Sequence, residues 1–372
     1  MASSFKQITP NDRVSTRTLL HEAIPLTGTI VSGTYSDENI KNYSHGMFQS
    51  VYDYPYLSSS ANHIFDITAG YSSDSELSGA ANEQNSKKIN IYNQMAQMLV
   101  GYDITGSVLK FDEDGNILAG GNKLKECLFV NFSRLLYKDE IKKGTFSLEL
   151  GVTPTYAQDG TVFNDRILVT DYSGSDGYLV NSPLGEYGVL YVTASTNAGN
   201  ILANDPATTN RPPCGLIYYQ AGVAVLSSSL FLSSDDSGGG LLSNTFTSVS
   251  MSGPSSTEES ISAVMSGSLI TGSADNLRNR MYNLQFNNTV ELNSTIYFCR
   301  VNHNEFNYSG NPTYLSSSQI RVKEISTDEP VSYITTVGLY SENNELLAVG
   351  KLSEPLKKTP SNEFTIRTRL DY

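Results

Sequence analysis

Tryptophan is absent from the 372 residues, histidine occurs four times and cysteine three times. Each scarcity removes a class of chemistry. His21, His45, His63 and His303 form no H-x-x-x-H or H-E-x-x-H pair, which excludes the helical zinc sites of metallopeptidases. Nucleophilic catalysis needs a Ser or Cys within reach of a base, and no G-x-S-x-G elbow occurs. Cys127, Cys214 and Cys299 stand about 85 residues apart, a separation no zinc motif uses. Each adjoins apolar residues, so all three read as small buried hydrophobes in a reducing compartment. Without tryptophan the strongest sugar-stacking ring is missing, although 23 tyrosines remain.

Basic charge is also scarce. Lys and Arg total 25 against 38 Asp and Glu, a net charge of −13, and no Lys/Arg-rich run overrides that field locally. Phosphate backbones and anionic membrane surfaces are repelled by such a chain. No apolar run approaches the ~18 residues of a membrane span, and MASSFKQITPNDR lacks the apolar stretch of a secretory leader. The glycines of Ala119-Gly120-Gly121-Asn122-Lys123 lack the spacing of a phosphate loop. Asp112-Glu113-Asp114-Gly115-Asn116 resembles a calcium loop, but its Gly is fourth rather than sixth and the twelfth residue is Lys123. A hairpin turn accounts for it better. Catalytic, cofactor and metal residues are therefore all read as none. A carboxylate pair of the glycosidase kind is not excluded among 38 acids, so a carbohydrate-binding or depolymerising module stands as the alternative to a non-enzyme.

What the chain has in quantity is β chemistry. Apolar residues make up 39% and charged residues only 17%, so the surface must be largely Ser, Thr, Asn and Gly. The expected fold is α+β and β-dominated: antiparallel sheets or a sandwich with a few helices and a C-terminal β-meander. Residues 1–34 read as an extended arm or first strand, 35–250 as a body with a β-rich second half, and 251–372 as a helix followed by the meander, packed on the body. Ile89, Tyr92, Met95, Ala96, Leu99 and Val100 recur at helical spacing and predict the most regular helix near 87–101. A shorter helix is expected from an N-cap at Ser36-Asp37-Glu38-Asn39 through Ile40, Met47, Phe48 and Val51, and another over Asp139–Lys143, ended by Gly144. Residues 233–256 are the most linker-like stretch, with a helix starting at Ser256 or Thr257 and interrupted at Gly267 and Gly272. Strands are expected at 127–132, 145–150, 167–170, 188–193, 295–301, 320–325 and 335–340. In the last strand Phe364, Ile366 and Leu370 face the core, and Arg367 and Arg369 face solvent or a partner.

Val337-Gly338-Leu339-Tyr340, the acidic turn, Leu346-Leu347-Ala348-Val349-Gly350, Pro355 and the Arg-containing strand Ile366–Leu370 together resemble a pattern in bacteriophage tail-fibre and baseplate-associated proteins. The resemblance covers about a fifth of the chain; residues 301–315 add wording similar to virion proteins. Residues 1–60 show no fibre-attachment sequence, and there is no repetitive shaft. The resemblance thus implies a non-enzymatic structural component of tail, baseplate or neck, made in the host cytoplasm and located in the virion. Its implied partners are other virion proteins and further copies of itself, with no cofactor, nucleic acid or membrane. Arg367 and Arg369 are the candidate partner-docking residues.

Overall fold

The computed structural model describes residues 5–27, 37–117, 120–153, 163–196, 201–203, 211–235, 239–244, 249, 251, 260–309, 315–316, 319–320, 325 and 327–372, with backbone alone at 22–27, 37, 315–316 and 319–320. Its first half runs β1 (Arg13–Thr27), β2 (Ile40–Asn42), β3 (Gln49–Tyr52), β4 (His63–Tyr71), α1 (Asn85–Leu99), β5 (Glu126–Phe132), α2 (Arg134–Tyr137), β6 (Glu140–Ile141) and β7 (Ser147–Gly151). Then come β8 (Arg166–Thr170), α3 (Gly174–Gly177), β9 (Leu179–Ser182), β10 (Gly185–Ala194), β11 (Pro213–Tyr218) and β12 (Val223–Ser227). Helices α4 (Ile261–Gly267) and α5 (Ile270–Arg280) lead into β13 (Met281–Val301). The chain ends with β14 (Leu315–Ser316), β15 (Gln319–Ile320), β16 (Ser332–Tyr340), β17 (Leu346–Lys358) and β18 (Phe364–Asp371). The fold is β-dominated with few helices, as expected.

Contacts divide the chain into two compact units, residues 20–290 and residues 1–19 with 291–372. In the first, an antiparallel sheet runs β13-β7-β8-β10-β11-β12-β5-β4-β3-β2. Its central strands are buried on both faces, which is why they read as continuous apolar runs. Cys127 and Phe129 of β5 join one core cluster with Val223, Val225, Leu216 and Tyr218. The alternate residues Leu128, Val130 and Phe132 join the other with Ala224, Leu226 and Ile217. Gly70 of β4 lets α1 lie against the sheet: a Cβ there would stand 2.7 Å from the Lys88 carbonyl oxygen and 2.9 Å from the Tyr92 nitrogen. Tyr92, Ala96 and Leu99 of the expected stripe are buried beneath α1, and its Ile89 and Met95 are partly so.

Several local expectations are corrected. The helix expected through Ile40–Val51 is a hairpin of β2 and β3. Gly46 turns it with φ +62°, and Ile40 and Val51 face each other across the ladder. Ile40 at one end and Met47, Phe48 and Val51 at the other, with a polar stretch between, fit a hairpin as well as a helix. Residues 139–143 are not helical. The helix lies earlier, at Arg134–Tyr137, because Glu140 and Ile141 pair with β13. Between the expected elements, the apolar sequence from Gly215 onward forms the strands β11 and β12, folded on Gly222 at φ +65°. The described part of 233–256 is core rather than linker: Leu242, Val249 and Met251 are fully buried. The expected helix start at Ser256 or Thr257 lies outside the described residues. Helix α4 begins at Ile261, with the Ser260 hydroxyl accepting the Ala263 N–H, and the break before α5 falls at Ser268–Leu269 rather than Gly272. These helices bury Ile261, Val264, Met265, Ala274 and Leu277 in the core of residues 20–290, so that unit extends well past 250.

In the second unit, β13 lies between β1 and β18. Of the extended arm or first strand expected at residues 1–34, residues 13–27 form the strand β1. Residues 28–34 of the expected arm, and 321–324 of the strand expected at 320–325, lie outside the described residues. Strand β18 pairs with β13 over eight residues, from Ser294 opposite Asp371 to Val301 opposite Phe364. It therefore does not continue the β16–β17 hairpin as a third meander strand. That hairpin is a separate two-stranded sheet, with Asn344 at φ +64° in its turn.

Candidate interaction surface

Residues directly opposite in an antiparallel ladder share a face. Register thus places Ile296, Phe298 and Arg300 of β13 on one face with Arg369, Arg367 and Thr365 of β18. Phe364, Ile366 and Leu370 share the other face with Val301, Cys299 and Thr295. The alternation is as expected, but the three apolar residues of β18 are half-buried, not core. The two arginines are exposed. Arg369 donates through Nε to Asp371 at 2.7 Å and to the Ser294 hydroxyl at 3.1 Å. The Ser294 hydroxyl, which itself donates to the Asp371 carboxylate, and then Arg369 hold the Asp371 carboxyl below its usual range. Arg300 pairs with Asp12 at 2.9 Å. Among the described residues Arg367 makes no ion pair, so of the two candidate docking arginines Arg369 alone is compensated by a carboxylate.

A shallow depression of about 480 Å³ at the Val301 end of this ladder is lined by Phe298, Arg300, Glu363 and Phe364 among others. Its guanidinium is already engaged by Asp12. On the β1 side the Ser15 and Thr295 hydroxyls meet at 3.1 Å, and Arg17 donates to Glu291 at 2.5 Å.

The hairpin is anchored at its base by a buried lysine. Lys358 spends all three ammonium donors on the His303 carbonyl, Asn307 Oδ1 and the Thr359 carbonyl, at 3.1, 2.7 and 2.7 Å. Ser332 donates to the Phe306 carbonyl at 2.5 Å beside it. Towards the tip the hairpin turns apolar side chains outwards: Tyr340, Leu346, Leu347 and Val349 are 46%, 55%, 66% and 60% exposed. Phe5 meets Tyr340 edge-on at 4.9 Å.

The contrast between the units is large. Among the described residues of 20–290, 58 apolar side chains are buried and 13 large ones exposed; in the other unit only Val301 and Leu339 are buried and 14 are exposed. A monomer normally scatters exposed apolar residues over a well-filled interior, and this unit has the surface without the interior.

A carboxyl held well away from its ordinary range lies elsewhere, in residues 20–290. Asp171 accepts hydrogen bonds from the Gly144 and Phe146 N–H groups at 2.6 and 2.9 Å and from the Tyr219 hydroxyl at 3.2 Å. Burial nevertheless pushes its carboxyl up to about 6. Lys143 beside it reaches Glu140 at 3.2 Å and Glu186 at 2.5 Å, and lies over the rings of Tyr178 and Tyr219. Perturbed groups of this kind mark active sites when a substrate can reach them. Here Lys143 is taken up by two carboxylates and two ring faces, and Asp171 by three donors. The cluster ties together the ends of β6, β8, β10 and β11. In the Asp112 turn the Lys123 ammonium sits against the Asp112 carboxylate, where a calcium loop would need an acid. No group of three or more His, Cys, Asp and Glu could hold a metal ion among the described residues.

Of the four histidines, His45 lies in the β2–β3 turn, where Nδ1 accepts the Met47 N–H at 3.1 Å, and His63 meets Asp66 at 2.8 Å. Sequence reading located the arginines of β18 and missed the exposed hairpin face, whose residues carry the same alternation as a buried strand. It also missed the buried lysines, Lys88 and Lys358, for which composition and spacing give no signal. Among the described residues no helix is long and apolar enough to cross a membrane. No family model, curated protein or solved structure matches the chain.

Proposed function

We propose that this chain is a non-enzymatic structural component of a bacteriophage particle, of its tail, baseplate or neck, acting in assembly and subunit attachment. The phage attribution rests on the resemblance of the hairpin and closing strand to tail-fibre and baseplate-associated proteins. The observation that carries the assembly part is the apolar balance of residues 1–19 and 291–372: two apolar side chains in and 14 large ones out, among those described. Surfaces of that kind are the raw material of permanent interfaces, which resemble a core cut in half. Its partners are then other virion proteins and further copies of itself, and its location the virion.

The test is the protein content of gradient-purified particles. The chain is expected in the particle fraction, retained through a high-salt wash, and disruption of its gene should leave particles lacking a tail substructure. Absence from purified particles, or hydrolysis of a glycan by the purified chain, would overturn the reading.

A further inference from the structure

Among the described residues the only strand paired with β16 is β17, which leaves its other edge without a described strand neighbour. The two edges of this hairpin differ in kind. That of β17 is defended: Lys351, Glu354, Pro355 and Lys357 are all exposed, and Pro355 has no N–H to offer. The sequence of β16, Ser-Tyr-Ile-Thr-Thr-Val-Gly-Leu-Tyr, contains no charge and no proline in nine residues. An undefended, β-branched edge pairs with other strands unless something covers it. A two-stranded sheet is also marginal alone, and among its described residues Leu339 is the one buried apolar side chain.

We propose that the open edge of β16 is a pairing edge, and that β16 of a second copy of this chain joins it antiparallel, making a four-stranded sheet across a twofold axis. The inference deepens the assembly reading above and rests on it for its purpose. Charge selects the occupant. Residues 1–19 and 291–372 hold eleven Lys and Arg and eleven Asp and Glu, so the whole −13 falls on residues 20–290. A neutral unit carrying both signs meets its own copy without net repulsion, whereas a strongly charged partner gains nothing from it. Register selects the geometry. With the axis at Gly338, Thr336 lies opposite Tyr340 of the copy and Val337 opposite Leu339, so exposed residues pair with exposed and inward with inward. Gly338 suits the axis, because the Tyr340 ring and Leu346 already cover the space above it: a Cβ there would stand 2.9 Å from the ring. Tyr333 and Tyr340 of β16 and Leu346, Leu347 and Val349 of the neighbouring β17 expose on the order of 500 Å² per copy.

Sedimentation velocity of the full chain across the micromolar range tests this. The wild-type chain is expected to dimerise. Thr336→Lys with Tyr340→Lys sets lysines opposite one another and should weaken the dimer about a hundred-fold, with the circular dichroism melt unchanged. Thr365→Lys, on exposed β18, should leave it intact. Mixing the double-lysine chain with a Thr336→Glu, Tyr340→Glu chain should recover a dimer that neither forms alone, since each homodimer sets like charges face to face and the mixture sets Lys against Glu, which a folding defect cannot imitate. A wild-type monomer at every concentration, or a dimer indifferent to the lysine pair, overturns the proposal and leaves the edge to a different protein. A β16-dependent dimer absent from particles would remove only the functional reading. A particle-borne chain that stays monomeric would remove only this inference.

Discussion

Lys88 gives the sharpest test of the packing in residues 20–290. Its side chain is fully buried beneath α1, and its amine donates to the carbonyls of Met265 and Ser268, both at 2.7 Å, where α4 ends. Burial lowers its pKa from 10.5 to about 8. The folded value lies below the unfolded one, so between about 8 and 10.5 the unfolded chain binds more protons and stability rises with pH. The hydrogen bonds survive deprotonation, because a neutral amine keeps two N–H groups for two carbonyls. At about 1.4 kcal/mol per unit the gain is roughly 3 kcal/mol. Lys88→Met keeps the volume and loses both the charge and the donors. Each orphaned carbonyl costs ~1–3 kcal/mol, and at neutral pH relief of the buried charge offsets part of that. In urea denaturation the stability gap between wild type and Lys88→Met should therefore widen by roughly 3 kcal/mol as pH rises through the window. A gap independent of pH would refute the reasoning, since it would mean that the two carbonyls keep the ammonium charged throughout.

Asp171 should behave in the opposite sense. Its pKa is raised to about 6, so its contribution is complete below 3.8 and lost as pH rises through about 6, roughly 3 kcal/mol in all. A carboxyl carbon resonance titrating near 6, absent in Asp171→Asn, would confirm it; a midpoint near the ordinary Asp value would mean that the three donors outweigh burial. Gly70→Ala forces a methyl against helix backbone and should cost ~1–3 kcal/mol, visible as a lowered melting temperature. Arg367→Ala with Arg369→Ala should leave the melting temperature unchanged, because both side chains are exposed, while incorporation into particles falls. Unchanged incorporation would reduce the two arginines to guards of strand solubility.

Legibility in the sequence followed how local the deciding physics was. Helix α1 could be read because its apolar stripe has one period and one buried face. The hairpin at Ser341–Asn344 could be read because its turn chemistry is contained in four residues. Ile40–Val51 misled because Ile40 at one end with Met47, Phe48 and Val51 at the other fits a helix or a hairpin equally, and Gly46 decided it. The run 233–256 read as linker from its serines and glycines, yet Leu242, Val249 and Met251 are core: three well-placed apolar side chains outweigh a polar majority. The pairing of β18 with β13 rather than β17 is a contact between distant segments that no local pattern encodes. Lys88 and Lys358 belong to the same class, since what makes them buried anchors is carbonyls contributed from elsewhere in the chain.

Alternation identifies a face and says nothing of its cover. Cys127–Phe132 and Tyr333–Tyr340 are both strand-forming, but β5 has neighbours on both edges and apolar clusters on both faces, whereas β16 has one neighbour among the described residues. The size of the exposed patch then decides what kind of contact can form. Two copies of roughly 500 Å² total about 1,000 Å², below the ~1,200–2,000 Å² of specific, stable interfaces. Side-chain burial alone therefore falls short, and the remainder must come from backbone pairing along an edge, where main-chain hydrogen bonds supply affinity and alternate side chains supply register. Of the two edges available, β17 withholds a donor at Pro355 and sets charges beside it. The uncharged edge of β16 is the one that can complete the contact.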